Sequence, residues 1–160
     1  MSTFRDASNT DVELVTALLG RPPAGRFAVC VRRRDGRPVV IENEPHLRDG
    51  TPMPTLYWLV DTELHDAVSR IEAEAGVHVF EQLTEPGELQ DAHDRYGERR
   101  QAATLRHDVV AASGGVGGTR VGVKCLHAHL ANFLVTRDDP VGQLVAARVA
   151  LPELVIDEVR

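Results

Sequence analysis

A predicted β-hairpin at residues 26–43 is the feature that most constrains the fold. Two runs rich in β-branched residues, FAVCV and PVVIEN, flank the dipeptide Asp35-Gly36. This dipeptide is typical of the tight turns between neighbouring antiparallel strands, because glycine readily adopts the positive φ angles that those turns need. The pattern therefore predicts an antiparallel strand pair early in the chain.

The rest of the chain alternates between helical and extended patterns. Apolar residues at helical spacing predict helices at 10–20, 62–76, 85–106, 123–139 and 140–150. Short β-rich runs predict further strands at 55–61, 77–83 and 153–159. This order lacks the regular alternation of a doubly wound fold. It predicts a single compact α+β domain over residues 1–160, with an antiparallel or mixed sheet and four to five helices.

Composition excludes several classes of protein. The chain of 160 residues is 42% hydrophobic, which suits one soluble domain, and no apolar run approaches the roughly 18 residues of a membrane span. A net charge of −6 and an aromatic content of 4% argue against nucleic-acid binding. The basic run Arg32–Arg34 is interpreted as the solvated end of the hairpin. The N-terminus lacks the pattern of a signal peptide, and the two cysteines are far apart, so we expect a cytoplasmic protein.

The segment at residues 114–129, GGVGGTRVGVKCLHAH, carries most of the chemistry-bearing residues. Gly117 and Gly122 have the glycine spacing of a phosphate-binding P-loop, but Lys124 is displaced by one position and the hydroxyl ligand for magnesium is missing. The dinucleotide-binding fingerprint also fails, because Arg120 stands where its third glycine belongs. Neither known motif is present.

The general physics of anion binding nevertheless applies to this segment. A glycine-rich loop before a helix can direct backbone N–H groups and the positive end of the helix dipole at an anion. Polar residues of the helix at 85–106 extend this hypothesis, since His93, Tyr96 and Arg100 recur with Leu89 on one helical stripe. Such a polar stripe predicts a helix that lies on the outside or lines a pocket. The predicted ligand-binding residues are Gly117, Gly118, Thr119, Arg120, Lys124, Tyr96 and Arg100.

The same segment supplies candidate metal ligands. In a helix, Cys125 and His129 lie on one flank and His127 points away from Cys125; in a strand, all three would share one face. The leucines that follow favour the helix, which predicts a zinc or iron site that uses Cys125 and His129 with ligands from elsewhere. The candidates for those further ligands are Cys30, His46, His65 and His93. The alternative is a buried thiol beside hydrogen-bonded histidines.

Catalysis is a further hypothesis for these side chains. A helix N-terminus beside Arg120 and Lys124 would lower the pKa of the Cys125 thiol and make it a nucleophile. His129 or His93 would then transfer protons. The sequence does not specify a reaction.

Three stretches resemble a known family. The motifs PTLYWL, RYGERR and GGVGGTRVGVKCLHAHLANFL…DDPVG are similar to the actinobacterial domain-of-unknown-function family 501, from LLGRPP to DPVG. The resemblance implies a compact one-domain cytoplasmic bacterial protein and supplies no activity. It also implies a cysteine shortly after the YWL strand, where this chain has Val60 and Asp61, and a cysteine at the position of Cys30.

The sequence therefore leaves three functions open. The leading hypothesis is a protein that binds a small phosphate- or carboxylate-bearing ligand at the glycine loop. The second is a non-catalytic interaction or regulatory protein with a protein partner, in which the glycine motif is purely structural. The third is a zinc- or iron-binding protein.

Overall fold

The predicted hairpin forms the centre of the sheet. In the computed structural model, which describes residues 4–159, β1 (Phe27–Arg33) pairs antiparallel with β2 (Pro38–Asn43). Gly36 adopts a φ of 95° in the connecting turn, and its N–H donates to the carbonyl of Arg33 at 2.9 Å. The hairpin prediction is confirmed, since the turn uses the positive φ angle that selects glycine.

The described residues form five α-helices and a four-stranded antiparallel sheet, which confirms the α+β class. The strands lie in the order β3-β2-β1-β4. The remaining elements are α1 (Asn9–Leu19), β3 (Tyr57–Leu59), α2 (Thr62–Gln82), α3 (Pro86–Ala103), a 3-10 turn (Val116–Gly118), α4 (Leu126–Thr136), α5 (Pro140–Ala146) and β4 (Leu154–Ile156). None of the described helices is long and apolar enough to cross a membrane.

Helices cover both faces of the sheet. On one face, Phe27 and Val29 of β1 belong to a small cluster with Val15 of α1. On the other face, the alternate residues of β1 belong to the main core together with α4, whose Leu130 is fully buried. This two-residue alternation is the ordinary periodicity of a strand with apolar residues on both sides.

The arginines at the end of β1 form ion pairs with acidic side chains. Arg32 donates to Asp11 and Asp157, and Arg33 donates to Asp61 and Glu63. These pairs bind α1, α2 and the segment after β4 to the hairpin. The basic run is consequently neutralised by carboxylates of the same chain.

The predicted strand at 77–83 is wrong. Residues 77–82 belong to α2, which continues through a single non-helical residue, Gly76, with φ 71° and ψ 163°. Val77 and Phe80 pack against the main core, whereas Val79 is exposed. The spacing of the packed residues is therefore helical, and core packing overrides the strand preference of the two valines.

Candidate functional site

The polar stripe of α3 is buried and holds main-chain groups. The Tyr96 hydroxyl accepts the Leu56 N–H at 2.6 Å, and the Arg100 guanidinium donates to the carbonyls of Pro54 at 3.0 Å and Gly114 at 2.7 Å. Tyr96 is fully buried and Arg100 is 5% exposed. The stripe thus fixes two loops to α3 through their backbone.

His93 also contacts the glycine loop through backbone groups of the loop. Its Nδ1 accepts the Val116 N–H at 3.0 Å, and its Nε2 lies 2.8 Å from the Gly122 carbonyl. These two contacts define the neutral tautomer with the proton on Nε2, and burial lowers the pKa of His93. A Cβ atom at Gly115 would lie 2.4 Å from Nδ1 of His93, so this glycine is needed for the close approach.

Replacing Tyr96 by phenylalanine tests the role of the stripe. We expect Tyr96→Phe to lower the free energy of unfolding by about 1–3 kcal/mol, because the buried Leu56 N–H loses its acceptor. Chemical denaturation of both proteins measures the difference. Tyr57→Phe is the matched control, since among the described residues the Tyr57 hydroxyl has no hydrogen-bond partner. Equal losses in the two variants would contradict the assigned role.

Two carboxylates of α2 accept hydrogen bonds from backbone N–H groups of the glycine segment (residues 114–129). Glu81 Oε1 accepts the Val123 N–H at 2.8 Å, and Glu72 Oε1 accepts the Leu126 N–H at 2.8 Å. A Cβ atom at Gly122, which has a φ of 67°, would lie 2.1 Å from Glu81 Oε1. The segment therefore binds carboxylates of its own chain at the start of α4.

The predicted ligand residues of the loop are divided between two depressions. Arg120 lines a cleft of about 390 Å³ with Gly114, Gly115 and the edge of His93, whereas Gly117 lines a different pocket. The remaining predicted residues of the loop, Gly118, Thr119 and Lys124, line neither depression.

Two of those loop residues form hydrogen bonds with other residues of the loop. Thr119 donates its hydroxyl proton to the carbonyl of Val121, and the Gly118 N–H donates to the carbonyl of Gly115. Arg120 and Lys124 are exposed, and neither forms an ion pair within residues 4–159. The two cations are thus the part of the predicted anion site that remains available to a ligand.

His129 lies in a buried polar network. Its Nδ1 is 2.9 Å from Asp139 Oδ2, and the same carboxylate accepts the Asn132 amide at 2.9 Å and the Gly142 N–H at 2.8 Å. The His129 ring is fully buried and its centroid lies 5.8 Å from that of His93. Solvent does not reach this predicted proton-transfer residue, which joins α4 to the start of α5.

Cys125 is placed beside His127 rather than beside His129. Cys125 is the N-cap of α4 with a φ of −147°, so its side chain does not follow the helical positions that come after it. Its Sγ lies 3.8 Å from His127 Nδ1, and the prediction that His127 points away from Cys125 is wrong. One ligand atom each from Glu72, Cys125 and His127 lies within 4.8 Å of the other two.

The Cys125 thiol has a raised pKa in this position. Burial is the largest cause and the nearby Glu72 adds to it, while the N–H groups of Ala128 and His127 and the charge of Lys124 oppose it. The direction of this pKa shift is therefore opposite to the lowering that the nucleophile hypothesis assumed. Partial burial of the sulfur outweighs its place at a helix N-terminus.

A pocket of about 380 Å³ adjoins these side chains, and we call it the α4 pocket. It lies between the end of α1, strand β3, the first turns of α2 and the start of α4. Residues that line it include Arg21, Tyr57, Trp58, His65, Gly117, Cys125 and His127. The rings of His65 and His127 lie with their centroids 4.4 Å apart.

Sequence reasoning missed Arg21, Trp58 and Glu72 as site residues. They come from the loop after α1, from β3 and from α2, and no spacing along the chain relates them to Cys125. The motif PTLYWL contains Trp58, but in the sequence this motif indicates only the family resemblance and does not identify Trp58 as a site residue.

The fold and this pocket define a small α+β protein with a cysteine at the N-cap position of a helix, beside a mixed polar and aromatic pocket. Residues 29–147 match the family model described as Protein of unknown function (DUF501), and the chain belongs to that family. No curated protein and no solved structure matches the chain. Where the resemblance implied a cysteine after β3, Asp61 caps α2 by accepting the Leu64 N–H at 3.0 Å.

Proposed function

We propose that the protein binds a small organic anion, with a carboxylate and an apolar body, in the α4 pocket. The observation that carries this proposal is a pocket of about 380 Å³ whose lining includes Arg21 together with the aromatic residues Tyr57 and Trp58. Pockets for small ligands usually combine an apolar lining with a few polar groups and start at roughly 300 Å³.

Arg21 supplies the charge that this ligand needs. It is exposed and forms no ion pair among the described residues, whereas the arginines of β1 are bound to carboxylates. A guanidinium donates two parallel hydrogen bonds to a carboxylate, which orients the ligand as well as attracting it. Trp58 and Tyr57 would pack against the apolar part of the same molecule.

This proposal keeps the anionic ligand predicted from the sequence and moves its site. The N–H groups of Val123 and Leu126, which a bound anion would need, donate to Glu81 and Glu72. A second candidate is the cleft beside the glycine loop, favoured by the exposed and unpaired Arg120 among the described residues that line it. Each candidate has one arginine whose removal tests it.

The test is the melting temperature of the protein in the presence of simple anions. The panel contains inorganic phosphate, acetate, succinate, benzoate and phenylacetate, measured on the parent protein, Arg21→Ala and Arg120→Ala. We expect an aromatic carboxylate to raise the melting temperature of the parent and of Arg120→Ala, and to leave Arg21→Ala unchanged. A ligand at a hundred times its Kd stabilises the folded state by about 2.7 kcal/mol, which such a scan detects.

The other outcomes overturn the proposal. Stabilisation that is lost in Arg120→Ala and kept in Arg21→Ala would assign the ligand to the cleft beside the glycine loop. No stabilisation of the parent by any member of the panel would reject the carboxylate pocket and favour the interaction protein.

A further inference from the structure

Three donor atoms converge beside the α4 pocket, independently of Arg21. His127 Nδ1 lies 3.8 Å from Cys125 Sγ and 3.4 Å from a carboxylate oxygen of Glu72. The three residues come from α2 and the start of α4 and are each partly buried. Imidazole, thiol and carboxylate are the three ligand types that zinc uses in proteins.

The hydrogen bonds of His127 determine which ring nitrogen is free. Its Nε2 lies 3.1 Å from the backbone carbonyl of His65 and 3.1 Å from the Ser69 hydroxyl. A carbonyl only accepts, so Nε2 carries the proton. In the neutral ring, Nδ1 then directs its lone pair at Cys125 and Glu72, and the bond to the carbonyl is the arrangement that orients metal-binding histidines.

Glu72 is oriented by a bond of its own. Its Oε1 accepts the Leu126 N–H at 2.8 Å, which holds the carboxylate against the first turn of α4. The carboxylate keeps further lone pairs for a cation. The Cys125 thiol can supply one proton to this cluster, and a cation that displaced that proton would accept electron pairs from all three side chains.

We propose that Glu72, Cys125 and His127 bind a zinc ion, which releases the proton of the Cys125 thiol to solvent. With ordinary zinc bond lengths and tetrahedral angles, a ligating sulfur and nitrogen lie about 3.6 Å apart, and a ligating nitrogen and oxygen about 3.4 Å apart. The observed separations of 3.8 Å and 3.4 Å are close to these two values, and the sulfur and the carboxylate oxygen lie within 4.8 Å of each other. This site replaces the pairing of Cys125 with His129 by a pairing with His127.

Three protein ligands leave one position of a tetrahedral zinc ion open. This ligand number is typical of catalytic zinc sites, where water or substrate takes the fourth position. Cys125 and His127 also line the α4 pocket, so a small molecule in that pocket would lie next to the ion. The zinc proposal does not depend on the carboxylate proposal, because neither Arg21 nor the aromatic side chains take part in it.

The experiment is a cobalt titration of protein purified without a histidine tag, stripped with a chelator and kept reduced. We expect one equivalent of Co²⁺ to produce intense visible bands of tetrahedral cobalt and a near-ultraviolet band of thiolate-to-cobalt charge transfer. One equivalent of Zn²⁺ should then remove both. Elemental analysis of the untreated protein should find zinc.

Variants assign the ligands. Cys125→Ser should abolish the near-ultraviolet band, while His127→Gln and Glu72→Gln should weaken cobalt binding by more than about tenfold. Glu72→Gln keeps an oxygen for the Leu126 N–H, and circular dichroism checks that each variant is folded. Cys30→Ala is the matched control, since the buried Cys30 thiol lies 3.4 Å from the Val40 carbonyl on another element, and it should bind cobalt like the parent.

Two results would overturn the zinc site. The first is a parent protein that takes up Co²⁺ with no charge-transfer band, which would mean that Cys125 is not a ligand. The second is a His127 ring that nitrogen NMR shows to be doubly protonated when Zn²⁺ is present, which would mean that a proton joins it to Glu72. Since the cobalt bands are read on the parent protein, a variant that fails to fold does not decide the question.

Discussion

Asp139→Ala is expected to lower the free energy of unfolding by about 3–5 kcal/mol, the cost of removing one partner of a buried polar pair. The carboxylate of Asp139 accepts from His129, Asn132 and the Gly142 N–H, and it is fully buried. Its loss leaves those donors without an acceptor between α4 and α5. Urea denaturation monitored by circular dichroism measures the effect.

The neighbouring residue is the matched control for this substitution. Asp138 pairs with Arg95 at 2.6 Å and with Arg99 at 2.9 Å, but its side chain is 38% exposed. An ion pair in contact with solvent contributes about 0–1 kcal/mol, so Asp138→Ala should change stability by no more than that. A loss in Asp138→Ala as large as that in Asp139→Ala would show that burial does not set the difference.

Gly142→Ala is expected to destabilise the protein by about 1–3 kcal/mol, although alanine is the better helix former. A Cβ atom at position 142 would lie 2.2 Å from the His129 carbonyl oxygen and 2.5 Å from Phe133 Cβ. Both neighbours belong to α4, so the two helices must separate to admit the methyl group. Thermal and urea unfolding of the variant measure the cost.

Gly97→Ala should have the opposite sign. Gly97 lies inside α3, where the nearest atom to a new Cβ would be the Gly114 carbonyl oxygen at 3.7 Å, an ordinary contact. The substitution should stabilise by up to about 1 kcal/mol through helix propensity alone. If both variants were stabilised, the close approach of α5 to α4 would not be the constraint that the structure indicates.

Local signals account for the parts of the fold that were predicted correctly. The hairpin follows from Asp35-Gly36 between two β-rich runs, and α5 follows from Pro140 at its first position. The segment 77–83 was mispredicted because its alternating valines resemble a strand, whereas the buried Phe80 is placed by packing against the core. Where tertiary contacts decide the secondary structure, a short window of sequence does not predict it.

The site was predicted only in part, for physical reasons. The polar stripe of α3 was visible in the sequence, but whether Tyr96 and Arg100 face a ligand or a backbone loop depends on the loop conformation. The direction of the Cys125 side chain depends on one extended residue at a helix start, which periodicity does not describe. Arg21, just after α1, and Glu72, in α2, come close to the start of α4 only in the folded protein.

The two tethered carboxylates at the start of α4 also determine which anions can compete for that position. Glu72 and Glu81 lie on either side of Gly76, and each is bound to a backbone N–H of the glycine segment. A group on the same chain acts at an effective concentration that reaches the millimolar range even with a flexible linker. A free phosphate or carboxylate at micromolar concentration would therefore be outcompeted for these two backbone N–H groups.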